Sequence, residues 1–300
     1  MSCPFCRSLS FSASGLPLTY FNEKFFVTVQ CNECRLLYID PLPDEKDLEQ
    51  MYPLSYQDGV DRNILPDVTK KMPGLRFSYA HQFDLIRKYS KANELLDHGC
   101  GTGHFVANAV NAGFVCSGTE FNAEQVERLA KEIPSSTFYT IEKFLAGEKK
   151  FPVIRMSNVL EHLTDPAGTL DALREKLAPD GLLLVEGPLE NNFSPALCLR
   201  KLYFLSKHYT RPSFSFSDPP RHIFYSDRHN QRDLFAKAGF EELHFALKEC
   251  AWPYPEKWSK CKSAGLKLKF LFAKCSMGIS FLNPYWGNTF LYLGRKKAQR

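Results

Sequence analysis

The amino-acid sequence predicts an α/β fold built on a mostly parallel sheet, with a small metal-bound module ahead of it. Three observations carry that expectation. From Glu94 to Val185 short apolar runs alternate with amphipathic ones, the pattern of strands and the helices that cover them. Within that stretch, "LLDHGCGTGHF" sets Gly99, Gly101 and Gly103 between an apolar run and a helix start. Nearer the N-terminus, "CPFC" and "CNEC" each hold two cysteines with two residues between them. With 300 residues, 44% hydrophobic and 24% charged, the chain is long enough for one large domain and an accessory. No run approaches the ~18 apolar residues needed to span a bilayer. The N-terminus shows no basic flank before an apolar core, so the expectation is a soluble cytoplasmic protein.

In chain order, the module comes first. Its four cysteines, Cys3, Cys6, Cys31 and Cys34, match the spacing of two thiolate knuckles facing one tetrahedral Zn²⁺. The intervening "LPLTYFNEKFFVTVQ" alternates like strand and turn, as a zinc ribbon does, and so short a module needs the metal to fold. Four sulfurs leave no open coordination position, so the ion is expected to be structural. Cys100, Cys116, Cys198, Cys250, Cys261 and Cys275 are scattered singly and read as reduced thiols. The expected division is a ribbon over 1–42, a helical linker over 43–90 and the α/β domain over 91–300. In the linker, Asp44 is a candidate cap for a short helix, and a second helix is expected around Phe77 to Tyr89.

The domain's elements follow. "NELLD" is the first strand, "GHFVANAVNAG" its helix, and "FVCSGTEF" the second strand, ending at Glu120. Asn122 caps the next helix, and "STFYT" and "FPVIRMSNVL" are further strands. Asp165 and Pro166 start another helix as cap and first-turn residue, ahead of the strand "GLLLVEG". "FEELHFAL" and "NTFLYLGRK" are the last two strands. Open sheets of this kind bind ligands at the carboxyl ends of their strands, where Asp97, Glu120 and Asn158 are expected to gather.

The spacing of the glycines separates two ligand classes. A dinucleotide turn G-x-G-x-x-G needs glycine where this chain has His104. The D-x-G-x-G-x-G formed by Asp97, Gly99, Gly101 and Gly103 instead resembles the class I S-adenosylmethionine-dependent methyltransferases, which have a Rossmann-like fold. The resemblance implies that the glycine loop admits the methionyl part of the cofactor and that Glu120 holds its ribose hydroxyls. Asp97, Phe121 and Asn158 complete the implied cofactor edge. Glycines lack the Cβ atoms that would block such an approach, and helix-start N–H groups favour a carboxylate. "NVLEHLTDPAGTLDALREKLAPDGLLLVEGP" and "HIFYSDRHNQRDLFAKAGF" are similar to later parts of the family pattern. "CPFC…CNECRLLYIDPLP" resembles a bacterial subgroup carrying an N-terminal zinc ribbon. One departure is Pro152 in "FPVI", where relatives often carry an acid, so no role is carried over to that position.

A sulfonium methyl is already activated, so the protein must bring the acceptor in line and exclude water. A hydroxyl acceptor also needs a base, for which histidine is suited. His162, in "LEHL" just past the fourth strand, and His222, in "DPPRH", are the candidates; His98 and His104, beside the glycines, are expected to pack or cap. Glu161 reads as a helix-start acid. Substrate-covering insertions are expected near 191–225 and 250–283. From Ala246 onward eleven Lys/Arg face only Glu249 and Glu256, which gives +9, while the remainder carries −4 of the net +5. That tail suits a peripheral membrane or lipid-linked contact, or RNA. The preferred reading is methyl transfer to a small-molecule hydroxyl, that of a sugar, a polysaccharide precursor or another metabolite. RNA methylation and a non-catalytic binding module are the alternatives.

Overall fold

The computed structural model describes residues 2–16, 18–52, 79–210, 215–216, 219–249 and 258–298. Parts of three expected segments therefore lie outside the described residues: Phe77 and Ser78 of the second linker helix, 211–214 and 217–218 of the first insertion, and 250–257 of the second.

The N-terminal strands are β1 (Phe11–Ala13), β2 (Leu18–Phe21), β3 (Lys24–Cys31) and β4 (Leu37–Asp40). β3 pairs antiparallel with each of the other three. The β2–β3 turn uses Asn22 and Glu23 at φ 49° and 61°, the left-handed pair that a tight hairpin requires. Helix α1 (Glu45–Met51) begins where Asp44 accepts from the Asp47 backbone N–H at 2.9 Å and Asp47 reciprocates, a capping box. Helix α2 (Ala80–Tyr89) leads into the main sheet.

There β5 (Glu94–His98), α3 (His104–Asn111), β6 (Val115–Glu120), α4 (Ala123–Glu132), β7 (Thr137–Thr140) and α5 (Ile141–Ala146) follow one another. Next come β8 (Phe151–Ser157), α6 (Pro166–Lys176), β9 (Leu177–Pro188) and α7 (Pro195–Thr210). The chain ends with β10 (Ser215–Phe216), β11 (Phe224–Tyr225), α8 (Arg228–Lys237), β12 (Phe240–Lys248), α9 (Ala264–Ser280) and β13 (Thr289–Lys296). The seven-stranded sheet runs β7-β6-β5-β8-β9-β13-β12, parallel throughout except that β13 is antiparallel to both neighbours. The order reverses direction between β5 and β8, and an open sheet leaves a crevice at such a place, outside the strand ends.

Apolar runs rather than alternation mark the central strands because both faces are covered. In β9, Leu182 and Leu184 enter one core with α2, α3 and α4, whereas Leu183 and Val185 enter the other with α5, α6 and α8. All four are at most 1% exposed, each burial contributing about 1.5–3 kcal/mol. Two helix starts match their expected caps: Asn122 accepts from Gln125 N–H at 3.1 Å and Asp165 from Gly168 N–H at 3.0 Å.

Three features depart from the sequence expectation. Helix α5 stands between β7 and β8, where the sequence reading places nothing; its six residues are too few to display a period. β9 extends back to Leu177 across a bulge in which Leu177 faces Phe151 and Leu182 faces Val153. The bulge is turned by Asp180 at φ 57°. The third is the N-terminal sheet, which is completed by two later strands: β10 pairs with β2, and β11 with β4 through Tyr38–Phe224. Cys3, Phe5, Val29, Leu36 and Tyr38 share one core with Leu160, Leu189, Phe224 and Phe290, so this sheet is packed on the main domain.

Candidate active site

The glycine loop joins β5 to α3 with Gly99, Gly101 and Gly103 at φ 69°, 55° and 74°, left-handed conformations that only glycine adopts at little cost. A Cβ at Gly99 would stand 2.5 Å from Val159 Cγ2, and one at Gly103 would stand 2.6 Å from Leu129 Cδ2. These two glycines therefore serve the turn and its packing on the β8 exit and α4. At these two positions the absent side chains make room for the protein's own Val159 and Leu129. Around the loop, Cys100 N–H donates to Thr119 O at 2.8 Å, and Gly103 N–H to Cys100 O at 2.9 Å.

Glu120, the last residue of β6, is turned toward this loop: Oε2 accepts from Gly101 N–H at 2.8 Å and Oε1 from Phe121 N–H at 2.9 Å. Burial raises its carboxyl pKa against those backbone hydrogen bonds, which lower it. Phe121 is 53% exposed beside it. Gln125 locks the loop from α4 by donating to Gly101 O at 2.8 Å.

Asp97, the penultimate residue of β5, lies at the carboxyl end of the strand as expected and is turned inward. It is 1% exposed and accepts from the buried Arg155 Nη1 at 2.7 Å. Arg155 Nε donates to Gln82 Oε1 at 2.8 Å, and Gln82 in turn donates to Glu186 Oε2 at 2.8 Å. The guanidinium lies 3.8 Å from the Phe105 ring centroid, a cation–π contact. Burial raises the Asp97 pKa and the Arg155 charge opposes it. Arg155, Gln82 and Glu186 escaped the sequence reading. The available signal was a lone cation inside the apolar strand "FPVIRMS".

Among the flanking histidines, His98 is buried and its Nδ1 lies 2.9 Å from Thr119 Oγ1. Burial lowers its pKa to about 4. His104 Nδ1 lies 3.2 Å from the Tyr79 hydroxyl. Asn158, just past β8, is exposed at φ 51°, and its N–H donates to Glu186 O at 2.9 Å. Left-handed backbone at a residue with a side chain is uncommon and collects at functional sites.

The next residues carry the histidines. A 3₁₀ turn over Leu160–His162 presents His162, whose Nδ1 lies 2.7 Å from Arg221 O and 2.8 Å from the Tyr52 hydroxyl. His222 enters from the segment before β11, held where Ile223 N–H donates to Glu161 O at 2.8 Å. The two imidazoles meet edge to face with centroids 5.0 Å apart. His222 Nδ1 lies 2.5 Å from Glu190 Oε2, on the segment after β9. Glu161 is the acid of this turn's start, as expected, and is buried in the cluster, where burial lifts its pKa to about 7. Burial lowers that of His162 to about 4. The structure thus brings both histidines together at the carboxyl edge. The neighbouring Val159 packs on the glycine loop.

The four N-terminal cysteines form a separate cluster with sulfurs all within 4.8 Å. Cys3 and Cys34 stand 3.6 Å apart and Cys6 and Cys31 3.5 Å, far beyond a disulfide bond. A tetrahedron of thiolates around Zn²⁺ has edges of roughly 3.8 Å, so this donor set fits the ion. The Cys34 hydrogen bond draws the Cys3 pKa down to about 5.

A parallel sheet with one antiparallel strand, a glycine turn at its switch point and an acid closing the next strand define the class of S-adenosylmethionine-dependent methyltransferases. The chain belongs to the methyltransferase-domain family, whose model matches residues 56–244. It is 33% identical over 125 residues to the ubiquinone biosynthesis O-methyltransferase of Actinobacillus pleuropneumoniae serotype 5b, a match covering 36% of this chain and 50% of that protein. The same enzyme of Haemophilus ducreyi is 28% identical over 128 residues, covering 37% and 50%. The chain spans about half the length of the curated relatives it matches. Among solved structures, a chain in the complex of the Haloferax volcanii Trm112 methyltransferase activator with a methyltransferase is similar in fold. Its TM-score is 0.53 at 11% identity, covering 84% of this chain and 99% of that one.

Proposed function

We propose that this protein transfers the methyl group of S-adenosylmethionine to a hydroxyl of a small molecule, with His222 as the base. The observation that supports this reading is the meeting of His222 and His162, rings 5.0 Å apart, beside the residues that pack on the glycine loop. The bound cofactor supplies an activated methyl group, and the chain's own residues do the rest. Gly99, Gly101 and Gly103 shape the turn that would receive the methionyl part, the Glu120 carboxylate at the end of β6 would hold the sugar hydroxyls, the exposed Phe121 and Asn158 would line the same strand-end edge, and Asp97, buried on Arg155, would support it from within. Glu190 fixes the His222 proton on Nδ1 and leaves the basic lone pair on Nε2, the logic of a carboxylate–histidine pair. As His222 takes the acceptor's proton, Glu190 stabilises the cation formed. His162, with its pKa lowered to about 4, stays neutral beside it and adds no repelling charge at neutral pH. The names of the O-methyltransferase relatives favour oxygen as the acceptor atom.

The same reading gives Cys3, Cys6, Cys31 and Cys34 a structural zinc ion, on the fit of four clustered thiols. Isothermal titration with S-adenosylmethionine, followed by a methyl-transfer screen over hydroxyl acceptors, tests the proposal. Absence of binding at millimolar cofactor rejects it. With an acceptor in hand, His222→Gln is expected to lower kcat by about 10²–10⁴-fold while cofactor affinity holds. An unchanged kcat removes His222 from the chemistry.

A further inference from the structure

Helix α9 faces outward with the wrong residues for a helix that merely packs. Leu268, Leu271, Cys275, Ile279 and Leu282 recur at spacings of three and four, so they form one stripe down the helix and the turn after it. That stripe is turned to solvent: Leu268 is 70% exposed, Leu271 49%, Ile279 42% and Leu282 79%, with Phe281 beside them at 87%. The helix is fastened on its other side, where Ala273 and Ser276 are buried. There Ser276 Oγ and Ser194 Oγ both donate to the buried Glu249 Oε1 at 2.7 Å. Lys267, Lys269 and Lys274 are all exposed along the same helix.

The charged side chains of α9 and of α7, the helix against it, have one sign. The sequence contains no Asp or Glu from Lys257 to Arg300, and none from Asn191 to Ser217. The fold places α9 from the first of these stretches against α7 from the second. We propose that α9 and the turn after it, Ala264–Leu282, dock this protein on an anionic lipid surface. The leucines and Phe281 enter the interfacial layer and the lysines lie against the headgroups.

Two other occupants fit less well. A second copy meeting stripe to stripe in a two-fold contact would set lysine rows against lysine rows. RNA would use the charge but leave the aliphatic stripe in water, since single strands are read by stacking on aromatic faces in a basic groove. Among the described residues no helix is long and apolar enough to cross a membrane, so the contact is with a surface. The chain that follows the docking turn reaches the segment around Glu190. Gly287 N–H donates to Phe193 O at 3.0 Å, and Leu189 N–H to Asn288 O at 2.7 Å, on either side of Glu190.

The test is flotation of the full chain with vesicles of phosphatidylcholine alone, and with phosphatidylglycerol as about a third of the lipid. Binding is expected to the anionic vesicles only, weakening as salt is added. Phe281→Ser with Leu282→Ser should reduce it by at least about tenfold, and Lys267→Gln and Lys274→Gln by about fivefold each. Titration with S-adenosylmethionine should be the same in all these variants, which separates failure of docking from failure of the proposed activity. No binding to anionic vesicles overturns the proposal, as does undiminished binding by the Phe281/Leu282 variant. Self-association in solution that Leu268→Ser with Leu271→Ser abolishes, without vesicle binding, assigns the face to a second copy instead. RNA binding in place of vesicle binding overturns it as well.

Discussion

At Gly99 two independent constraints coincide, a φ of 69° and a Val159 methyl 2.5 Å from where a Cβ would be. Gly113 has a similar φ of 89° but open space around it. Gly113→Ala should therefore cost only the left-handed backbone penalty, about 1–2 kcal/mol. Gly99→Ala should cost more, by about 1–3 kcal/mol of overpacking, and displace the loop that receives the cofactor. Denaturant melts and titration with S-adenosylmethionine measure both, and equal losses in the two variants would refute the packing argument. The Arg155–Asp97 pair makes a second prediction. Arg155→Met leaves a buried carboxylate unpaired, with an expected loss of about 3–5 kcal/mol, and adding Asp97→Asn should recover part of it. A simple sum of the two single losses in the double variant would show that the pair is uncoupled. The glycines were legible in the sequence because their spacing is local. The partner of Asp97 was not, since Arg155 lies 58 positions away and nothing local to either residue encodes the meeting.

Element by element, the same division holds. Caps are local, so Asp44, Asn122 and Asp165 could be read from sequence and do cap their helices. The 3₁₀ turn over Leu160–His162 could not be read this way, because its character depends on what later segments bury. Covered by the segment before β11 and by Glu190, it holds two titrating groups whose displacements oppose each other. Burial raises the Glu161 pKa from 4.5 to about 7, so the folded protein keeps a proton that the unfolded chain has lost. That contribution is present at low pH and is lost as pH rises through this window. Burial lowers the His162 pKa from 6.5 to about 4. Its contribution is present at high pH and is lost as pH falls from 6.5 to about 4. Between about 4.5 and 6.5 the two slopes offset one another, so this turn by itself adds little pH dependence. Glu161→Gln should expose the His162 slope, with a melting midpoint that falls from pH 7 to pH 5. Relative to the unsubstituted protein, His162→Gln should shift the midpoint the other way, upward on acidification, while the buried His98 keeps its own slope in every variant. Thermal melts across that range decide the matter, and parallel profiles in both variants would mean that these side chains are not buried as described.

Across the whole molecule, the N-terminal sheet and the candidate active site are mechanically one body. β4 pairs with β11 through Tyr38–Phe224 and Leu37–Tyr225, and Ile39 N–H donates to Ile223 O at 3.0 Å. His222 stands two residues before Phe224, the first residue of that strand, so its position depends on the cysteine-clustered sheet. Phe5 packs edge to face on Phe224 at 4.7 Å, and Asn230 Nδ2 donates to Cys34 O at 2.6 Å, tying the knuckle to α8. The glycine loop is held instead by β6, α4 and Val159, none of them part of that sheet. If zinc occupies the four thiols, its removal should act unequally on the two halves of the site. Extraction by a strong chelator, or Cys31→Ser, should lower the melting midpoint by about 2–4 °C for each kcal/mol of metal binding lost. It should also reduce kcat through displacement of His222, while the affinity for S-adenosylmethionine changes by less than about threefold, under 1 kcal/mol. Calorimetry before and after chelation, paired with methyl-transfer rates, separates the two effects. Equal losses of affinity and rate would show that the sheet supports the whole domain rather than the histidine edge, because only a local coupling through β11 can spare the cofactor side.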